Sequence, residues 1–507
     1  MADDMGGLAC GRTVAVIDMG SNSVRLLVCR ELTSSAFEVI DEERFDARLG
    51  EGQAGGNLTP EGMQRGMDAL RVMTELARSY RPDHMVVAGT EALRRAPNAA
   101  EFIARARAEF GIDLRVLAGA EEARAAFLGV ANSIDLTDGY VLDIGGGSLE
   151  VMRVEARDLA SVQSAPLGAI YARERYFSSD PPSARDVRAL RKAVRGAIQV
   201  EPAGGELFGT GGAVRNLARI TRIRRRYPLR RLHGLVLTRE EVHRLAQALV
   251  ARTPDERRKI PGVGWNRIDI LPAAAVVIDE VMGLLGARTL TVAGQGLREG
   301  LAWEELRPAN PLIADVRAAS IAGVARANGV SDQTSRPVID AAAMLFDAVA
   351  TPLGLGAGDR EILCAAAHLA TIGMHIDFYN RDRHAEYLVH SADLRGYNHR
   401  EIVLLGGIVR WADEGTPDLS PYRALITADD SRRATILATL LGVARAINRR
   451  HPSPVTAVSA KFKAGQLALR LEANGDLAPE AHELQRQASR LEANLRVALS
   501  VRYRPPS

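Results

Sequence analysis

Short apolar runs alternate with longer segments of 3.6-residue periodicity through the first 300 positions of the chain. Val14 to Ile17 and Val24 to Cys29 predict two buried strands, joined by a tight turn at Gly20, Ser21 and Asn22. Pro60 to Tyr80 predicts a helix, with Thr59 as N-cap and Pro60 in the first helical position. His84–Gly89 then predicts a short strand, Glu101–Phe110 a helix, Leu114–Leu117 a strand and Ala120–Val130 a helix. Strands alternating with helices predict an α/β domain.

The opening pattern returns in Tyr140–Val154 (YVLDIGGGSLEVMRV), again strand, glycine turn, strand. Asp143, Gly145 and Ser148 repeat Asp18, Gly20 and Ser23 at a constant offset of 125 residues, so the α/β unit is duplicated. A third glycine turn follows in Leu207–Ile220 (LFGTGGAVRNLARI), and a fourth strand-and-glycine segment in Leu290–Ala302. Beyond about Pro308 the strand-like runs stop. Pro311 to Trp411 and Ser431–Arg449 predict an all-helical region. Val455–Phe462 and Gln466–Leu471 predict two strands split by Lys463–Gly465, and Pro479–Ser500 a closing helix, a small α+β appendage.

At 507 residues the chain has room for about three or four domains. It is 47% hydrophobic and 25% charged, as a globular protein is, and a net charge of only +3 argues against a nucleic-acid coat protein. Arginine supplies 61 of the 65 basic residues. Guanidinium groups suit bidentate contacts to phosphate, although a genomic composition bias produces the same excess. Cys10, Cys29 and Cys364 contain no CxxC pair, which predicts neither a disulfide framework nor a zinc site and fits a reducing compartment. Met1 to Arg12 has no apolar core of the signal-peptide kind, and no apolar stretch reads as a membrane span, so a cytoplasmic location is expected.

The turns are where chemistry is expected. A Gly/Ser turn after a strand leaves several backbone N–H groups pointing one way, and glycine admits a ligand without a Cβ clash. Such nests hold anions, phosphate above all. The candidate phosphate-binding residues are therefore Gly20, Ser21, Asn22 and Ser23; Gly145, Gly146, Gly147 and Ser148; and Gly209, Thr210, Gly211 and Gly212. Asp18 and Asp143 each end a buried strand beside a turn. A carboxylate repels a neighbouring phosphate unless a cation sits between them, a role Mg²⁺ fills with one or two carboxylates plus phosphate oxygens. The alternative is that each Asp caps its own turn.

The succession DMGSNS, DIGGGS and FGTGG resembles the phosphate loops of the actin/Hsp70/sugar-kinase fold. More closely, Asp18–Ser23, Gly89–Arg94 (GTEALR), Gly119–Arg124 (GAEEAR), Asp143–Glu150 (DIGGGSLE), Gly209–Gly212 and Gly296–Gly300 (GLREG) resemble the exopolyphosphatase / guanosine pentaphosphate phosphatase family. The resemblance runs from about Thr13 to Trp303 and continues more weakly through RHAEY (383–387) and SADLRGYN (391–398). It implies an α/β fold of two duplicated actin-like (ribonuclease-H-like) lobes, 12–133 and 134–307. A helical HD-like domain, 308–451, and a small α+β domain, 452–507, would follow.

The implied activity is hydrolysis of a terminal phosphoanhydride. The motif places the water-activating carboxylate at Glu122; Glu121, about 100° around the helix, points elsewhere. The resemblance puts Arg94 against the transferred phosphoryl group, Asp143 among the catalytic residues, and Asp143 and Glu150 at Mg²⁺, with Mn²⁺ or a monovalent cation as alternatives. The third turn leaves room for either a nucleoside or a further phosphate. The expected substrate is inorganic polyphosphate, with guanosine pentaphosphate or tetraphosphate as the alternative, and a homodimer is implied. A sensor of polyanions without catalysis and a phosphotransferase are the readings from other classes. Membrane and specific nucleic-acid partners are not expected.

Two further clusters stand out. Arg222, Arg224, Arg225, Arg226, Arg230 and Arg231 form a basic run, either a track for a polyanion or a solvated loop. His368, His375, His384, His390 and His399 fall within 32 residues of the helical region. HD-type phosphohydrolases need an adjacent His-Asp pair and a distant Asp; the aligned positions here hold Ala370–Thr371 and Asn448. The domain is therefore expected to lack that metal, with His375, Asp377 and His384 as the one residual cluster.

Overall fold

The computed structural model describes residues 11–53, 56–200 and 206–504; Cys10 lies outside them. The chain divides into two compact units, 1–316 and 317–507.

The first unit holds two sheets. β1 (Thr13–Met19), β2 (Val24–Thr33) and β3 (Ala36–Phe45) form an antiparallel meander. After α1 (Pro60–Ser79) come β4 (His84–Gly89), α2 (Glu91–Arg95), α3 (Ala99–Phe110), β5 (Leu114–Val116) and α4 (Gly119–Ala131). The sheet order is β3-β2-β1-β4-β5, with β1, β4 and β5 parallel. The second half repeats the plan with β6 (Gly139–Ile144), β7 (Leu149–Glu155), β8 (Asp158–Ala165), α5 (Ala169–Tyr176), α6 (Ala184–Ala197), β9 (Leu207–Thr210) and α7 (Gly212–Arg224). It closes with β10 (Val236–Thr238), α8 (Arg239–Val250), α9 (Pro254–Arg258), α10 (Leu271–Leu284), β11 (Thr289–Val292) and α11 (Leu297–Leu306). Its order, β10-β11-β9-β6-β7-β8, contains the first sheet's arrangement as β8-β7-β6-β9-β11, with β10 added at one edge. The duplication read from an offset of 125 residues is thus a duplication of topology.

Local chemistry explains the boundaries. Thr59 accepts from the Gly62 N–H at 3.0 Å and caps α1. The strands next to the parallel pairings are apolar on both faces: Val14 to Ile17 are all buried, as are Val141 and Leu142. β3 eluded the sequence reading because it is an edge strand; its stretch Glu38–Arg44 is rich in acidic groups and faces solvent. The two halves are also stitched together. α4 packs its buried face with Val141, Met152, Val154 and Phe208 of the second sheet, while α11 returns to pack on α4 and β1. The contact is glycine-dependent: a Cβ on Gly300 would lie 1.7 Å from the Ala125 carbonyl oxygen.

The second unit is helical: α12 (Val316–Ala327), α13 (Asp332–Leu353), α14 (Ala357–Leu369), α15 (Arg381–Ser391), α16 (His399–Arg410) and α17 (Ala428–Ile447). α17 is buried nearly all round and packs against α13, α14 and α16. A sheet of order β12-β13-β14 closes the chain: β12 (Val455–Lys463), β13 (Gln466–Ala473) and, after α18 (Ala478–Leu495), β14 (Ala498–Arg504). β14 corrects the predicted closing helix. Arg496 adopts a left-handed φ of 55°, ends α18, and turns the last residues into a strand parallel to β13. No helix among the described residues is long and apolar enough to cross a membrane.

Candidate active site

The first two glycine turns have the same construction. The Gly20 N–H donates to the Ser23 carbonyl at 3.2 Å and the Gly145 N–H to the Ser148 carbonyl at 3.1 Å. Their outward carbonyls are tied from behind. Arg48 and Gly50 N–H groups reach Asn22 and Ser21, both at 2.9 Å; Ile170 and Gly168 N–H groups reach Gly146 at 2.8 Å and Gly147 at 3.0 Å. Among the described residues, the N–H groups of Ser21, Asn22, Ser23, Gly146, Gly147 and Ser148 donate to no protein acceptor. Both turns line one cavity of about 110 Å³. They meet so closely that a Cβ on Gly146 would lie 2.9 Å from the Asn22 nitrogen. The third turn joins them through Thr210, Gly211 and Gly212; Gly211 has φ 96°, and a Cβ there would lie 2.4 Å from the Ile144 carbonyl oxygen.

Carboxylates occupy one part of this cavity. Asp18, Asp143 and Glu122 line it, and all three are pushed up, first by burial: Asp18 and Asp143 to about 6, Glu122 to about 7. At Glu122 the Arg94 guanidinium opposes the rise, while Asp143 and Asp18 add to it. Among the described residues, Asp18 Oδ1 and both amide atoms of Asn22 are buried without a hydrogen-bond partner. Glu121 is elsewhere, as its angle predicts: it accepts from the Ala118 N–H at 2.8 Å, caps α4 and pairs with Arg115.

Arginines share the lining with them, Arg25 paired across the strands with Asp18 and Arg298 3.4 Å from Glu299. Arg25, Arg215, Arg267 and Arg298 line the cavity, from four different elements of the chain. Arg298 is held by Glu42 and the Leu26 carbonyl (2.9 Å), and Arg215 by the Gly294 carbonyl (2.9 Å). Among the described residues, the Arg25 and Arg267 guanidinium groups have no hydrogen bond or ion pair. Burial and then the other arginines push Arg25 well down; burial, Arg44 and Arg215 push Arg267 down to about 9. A guanidinium does not give up its proton in a protein, so the crowding expresses itself as a demand for an anion.

These four arginines were absent from the sequence-derived site. The available signals were weak: Arg298 sits inside GLREG, and Arg25 occupies the position that Glu150 takes one repeat later. Three expected residues lie off the cavity surface. Gly209 is a core residue of β9, where a Cβ would meet Leu290 at 2.8 Å. Arg94 points its guanidinium at Glu122 (2.7 Å), the Leu117 carbonyl (2.9 Å) and Glu91, and so clamps the carboxylate. Glu150 stands behind Asp143 as its cross-strand partner, accepts from Ser164 at 2.9 Å, and is pushed well up by burial and then by Glu122 and Asp143.

The basic run is partly structural. Arg222 donates to the Arg230 carbonyl at 3.0 Å, and Arg225 pairs with Glu241. In the second unit, Ala370, Thr371 and Asn448 line one cavity of about 720 Å³, and the Asn448 amide donates to the Pro337 and Ala444 carbonyls, both at 3.1 Å. Among the described residues, no three His, Cys, Asp or Glu side chains come close enough to hold a metal, so His375, Asp377 and His384 do not assemble into a site.

An anion nest, a buried carboxylate set and guanidinium groups lining one cavity suit phosphate chemistry. Residues 27–308 match the model of the Ppx/GppA phosphatase family, and residues 316–493 match that of Ppx/GppA phosphatase, domain III. The chain is similar to the crystal structure of an exopolyphosphatase from Cytophaga hutchinsonii, with 26% identity and a TM-score of 0.56 over 59% of this chain and 99% of that one. It is also similar to an Aquifex aeolicus member of the Ppx/GppA family, with 27% identity and a TM-score of 0.51 over 59% and 99%. The chain belongs to the Ppx/GppA phosphatase family.

Proposed function

We propose that this phosphatase is an exopolyphosphatase, releasing orthophosphate from the end of inorganic polyphosphate. One observation carries the reading: the cavity offers N–H nests and four guanidinium groups, and no aromatic side chain is among its described lining residues. It is furnished for successive phosphates, with no platform on which a base would stack.

The chemistry follows from the charge layout. A water held by Glu122 attacks the terminal phosphorus in line. Its proton passes to Glu122 as the new P–O bond forms; the bridging P–O bond breaks, and its electron pair leaves on the shortened chain. Arg94 keeps Glu122 oriented, and the nests with Arg25, Arg215 and Arg298 neutralise charge growing on the phosphate oxygens.

A divalent cation fits this arrangement. Among the described residues Asp18 Oδ1 is buried without a hydrogen-bond partner, Asp143 presents a second carboxylate at the same cavity, and both are hard oxygen donors. Asp18 and Asp143 would hold Mg²⁺ together with substrate oxygens, and Glu150 would act from behind Asp143. When bound, the ion supplies charge neutralisation at the phosphates. Mn²⁺ suits the same oxygens.

Phosphate release is measured from long polyphosphate, guanosine pentaphosphate and ATP in parallel with Mg²⁺, with Glu122→Gln as control. Release highest from polyphosphate and abolished in the variant supports the proposal. Higher release from guanosine pentaphosphate assigns the enzyme to that substrate, and no release from any of the three overturns the hydrolytic reading.

A further inference from the structure

Arg215, one of the four arginines that line the cavity, rests on a single support. Its Nη1 donates to the Gly294 carbonyl at 2.9 Å, and among the described residues its guanidinium makes no other hydrogen bond or ion pair. Whatever holds Gly294 therefore aims Arg215. Gly294 lies between β11 and α11, the helix that carries Arg298 into the same cavity. Its neighbours are fixed separately: the Ala293 N–H donates to the Gly209 carbonyl at 2.8 Å, and the Gln295 carbonyl accepts from Thr210 at 3.0 Å.

Gly294 itself is held by an imidazole. Backbone bonds stitch the loop before β10 to β11, from the Gly234 N–H to the Val292 carbonyl at 2.8 Å and from the Val292 N–H to the Leu235 carbonyl at 2.9 Å. They set His233 against Gly294, where a Cβ on the glycine would lie 3.1 Å from His233 Cβ. The Gly294 N–H donates to His233 Nδ1 at 2.9 Å, and His233 Nε2 stands 3.0 Å from the carbonyl oxygen of Ser133, a buried residue just beyond α4. A carbonyl only accepts and a backbone N–H only donates, so the ring carries its proton on Nε2 and a lone pair on Nδ1. One side chain thus joins the end of the helix that bears Glu122 to the glycine that bears Arg215.

Resting on the reading above that Arg215 binds the phosphate chain, we propose that His233 is a positioning residue for Arg215, acting through Gly294. His233 is not among the described lining residues of the cavity, so it reaches the substrate only by this route. Its Nδ1 fixes the nitrogen side of Gly294 while Arg215 hangs on the carbonyl side.

The test measures the affinity of the full-length protein for long polyphosphate by titration calorimetry, with Mg²⁺ and with Glu122→Gln to prevent turnover. Asparagine places an acceptor where Nδ1 stands, and glutamine a donor where Nε2 stands. His233→Asn should bind within about twofold of its parent, and His233→Gln about threefold or more weakly, as loss of one hydrogen bond implies. The effect should pass through Arg215, so that once Arg215→Ala is present His233→Gln weakens binding no further. Equal weakening by the Asn and Gln variants, or the same factor with and without Arg215, would overturn the proposal. The unaltered protein gives a reading that needs no substitution: the ¹⁵N shifts of the His233 ring should place the proton on Nε2, and a proton on Nδ1 contradicts the assignment. If Arg215→Ala itself leaves the affinity unchanged, this proposal falls together with the place given to Arg215 on the chain. If Arg215→Ala weakens binding and His233→Gln does not, this proposal falls alone.

Discussion

The β1–β2 and β6–β7 hairpins share a fold, a turn and an aspartate, and they differ in the residue paired with that aspartate. Asp18 stands opposite Arg25, and Asp143 stands opposite Glu150. Pairing register gives the two partners equivalent positions in their hairpins, opposite an aspartate, where one repeat places a cation and the other a second carboxylate. Arg25 faces the cavity and, among the described residues, has no hydrogen bond or ion pair, whereas Glu150 lies off the cavity surface, accepts from Ser164 and is itself pushed well up by burial and then by Glu122 and Asp143. Duplication supplied a symmetric frame, and in the proposed reaction divergence at this pair separates a binding half from a reacting half.

The comparison breaks most visibly at Glu122, which serves the reacting half. Glu122→Gln should lower kcat by roughly 10²–10⁴-fold with KM for polyphosphate within about twofold, read by steady-state phosphate release. The pH profile sharpens the same point. In the proposed mechanism Glu122 is the base, and burial holds it up to about 7, so kcat/KM should rise with pH and level off near 7. Below that it should fall about tenfold per pH unit; a profile flat from pH 5 to 8 would remove Glu122 from the role.

The next effect is on stability. Asp143 is held up to about 6 by burial, against 3.8 ordinarily. As pH rises between these values the unfolded chain gives up its proton first, so stability is lost across that window and stays lost above it. Two pH units correspond to about 3 kcal/mol, so Asp143→Asn should be more stable at pH 8 without added metal by about 1–3 kcal/mol, while losing activity. Calorimetry at pH 8 and pH 4 checks this; the advantage should vanish at pH 4. Smallest is Glu121→Gln, which removes an exposed pair with Arg115 and weakens a helix cap. It should cost about 0.5 kcal/mol and leave phosphate release unchanged.

Much of this was legible before the fold. The strand–turn–strand repeat and the three glycine turns rest on local periodicity and spacing, which sequence carries directly; the choice of Glu122 over Glu121 rests on the family motif, and the structure puts Glu122 at the cavity and Glu121 in the cap of α4. The arginine lining was not legible. Arg25, Arg215, Arg267 and Arg298 are spread over 274 residues, and only sheet order and the return of α11 to β1 bring them together. The conspicuous run at 222–231 drew attention to charges that partly serve their own loop. Arg94 was assigned to phosphate because motifs give a residue's presence and not its partner; its guanidinium clamps Glu122 instead. The expected closing helix overlaps β14 at Ala498 to Ser500, because the apolar pattern of α18 runs on past Arg496, whose left-handed φ ends the helix.

The division between the hairpins is tested most directly by the kcat and KM of Arg25→Ala and Glu150→Gln, measured side by side on long polyphosphate with Mg²⁺. Arg25→Ala should raise KM about tenfold or more with kcat within a few-fold, and Glu150→Gln should lower kcat with KM nearly unchanged. If both substitutions move the same parameter by similar factors, the two hairpins do one job and are not divided between binding and reaction.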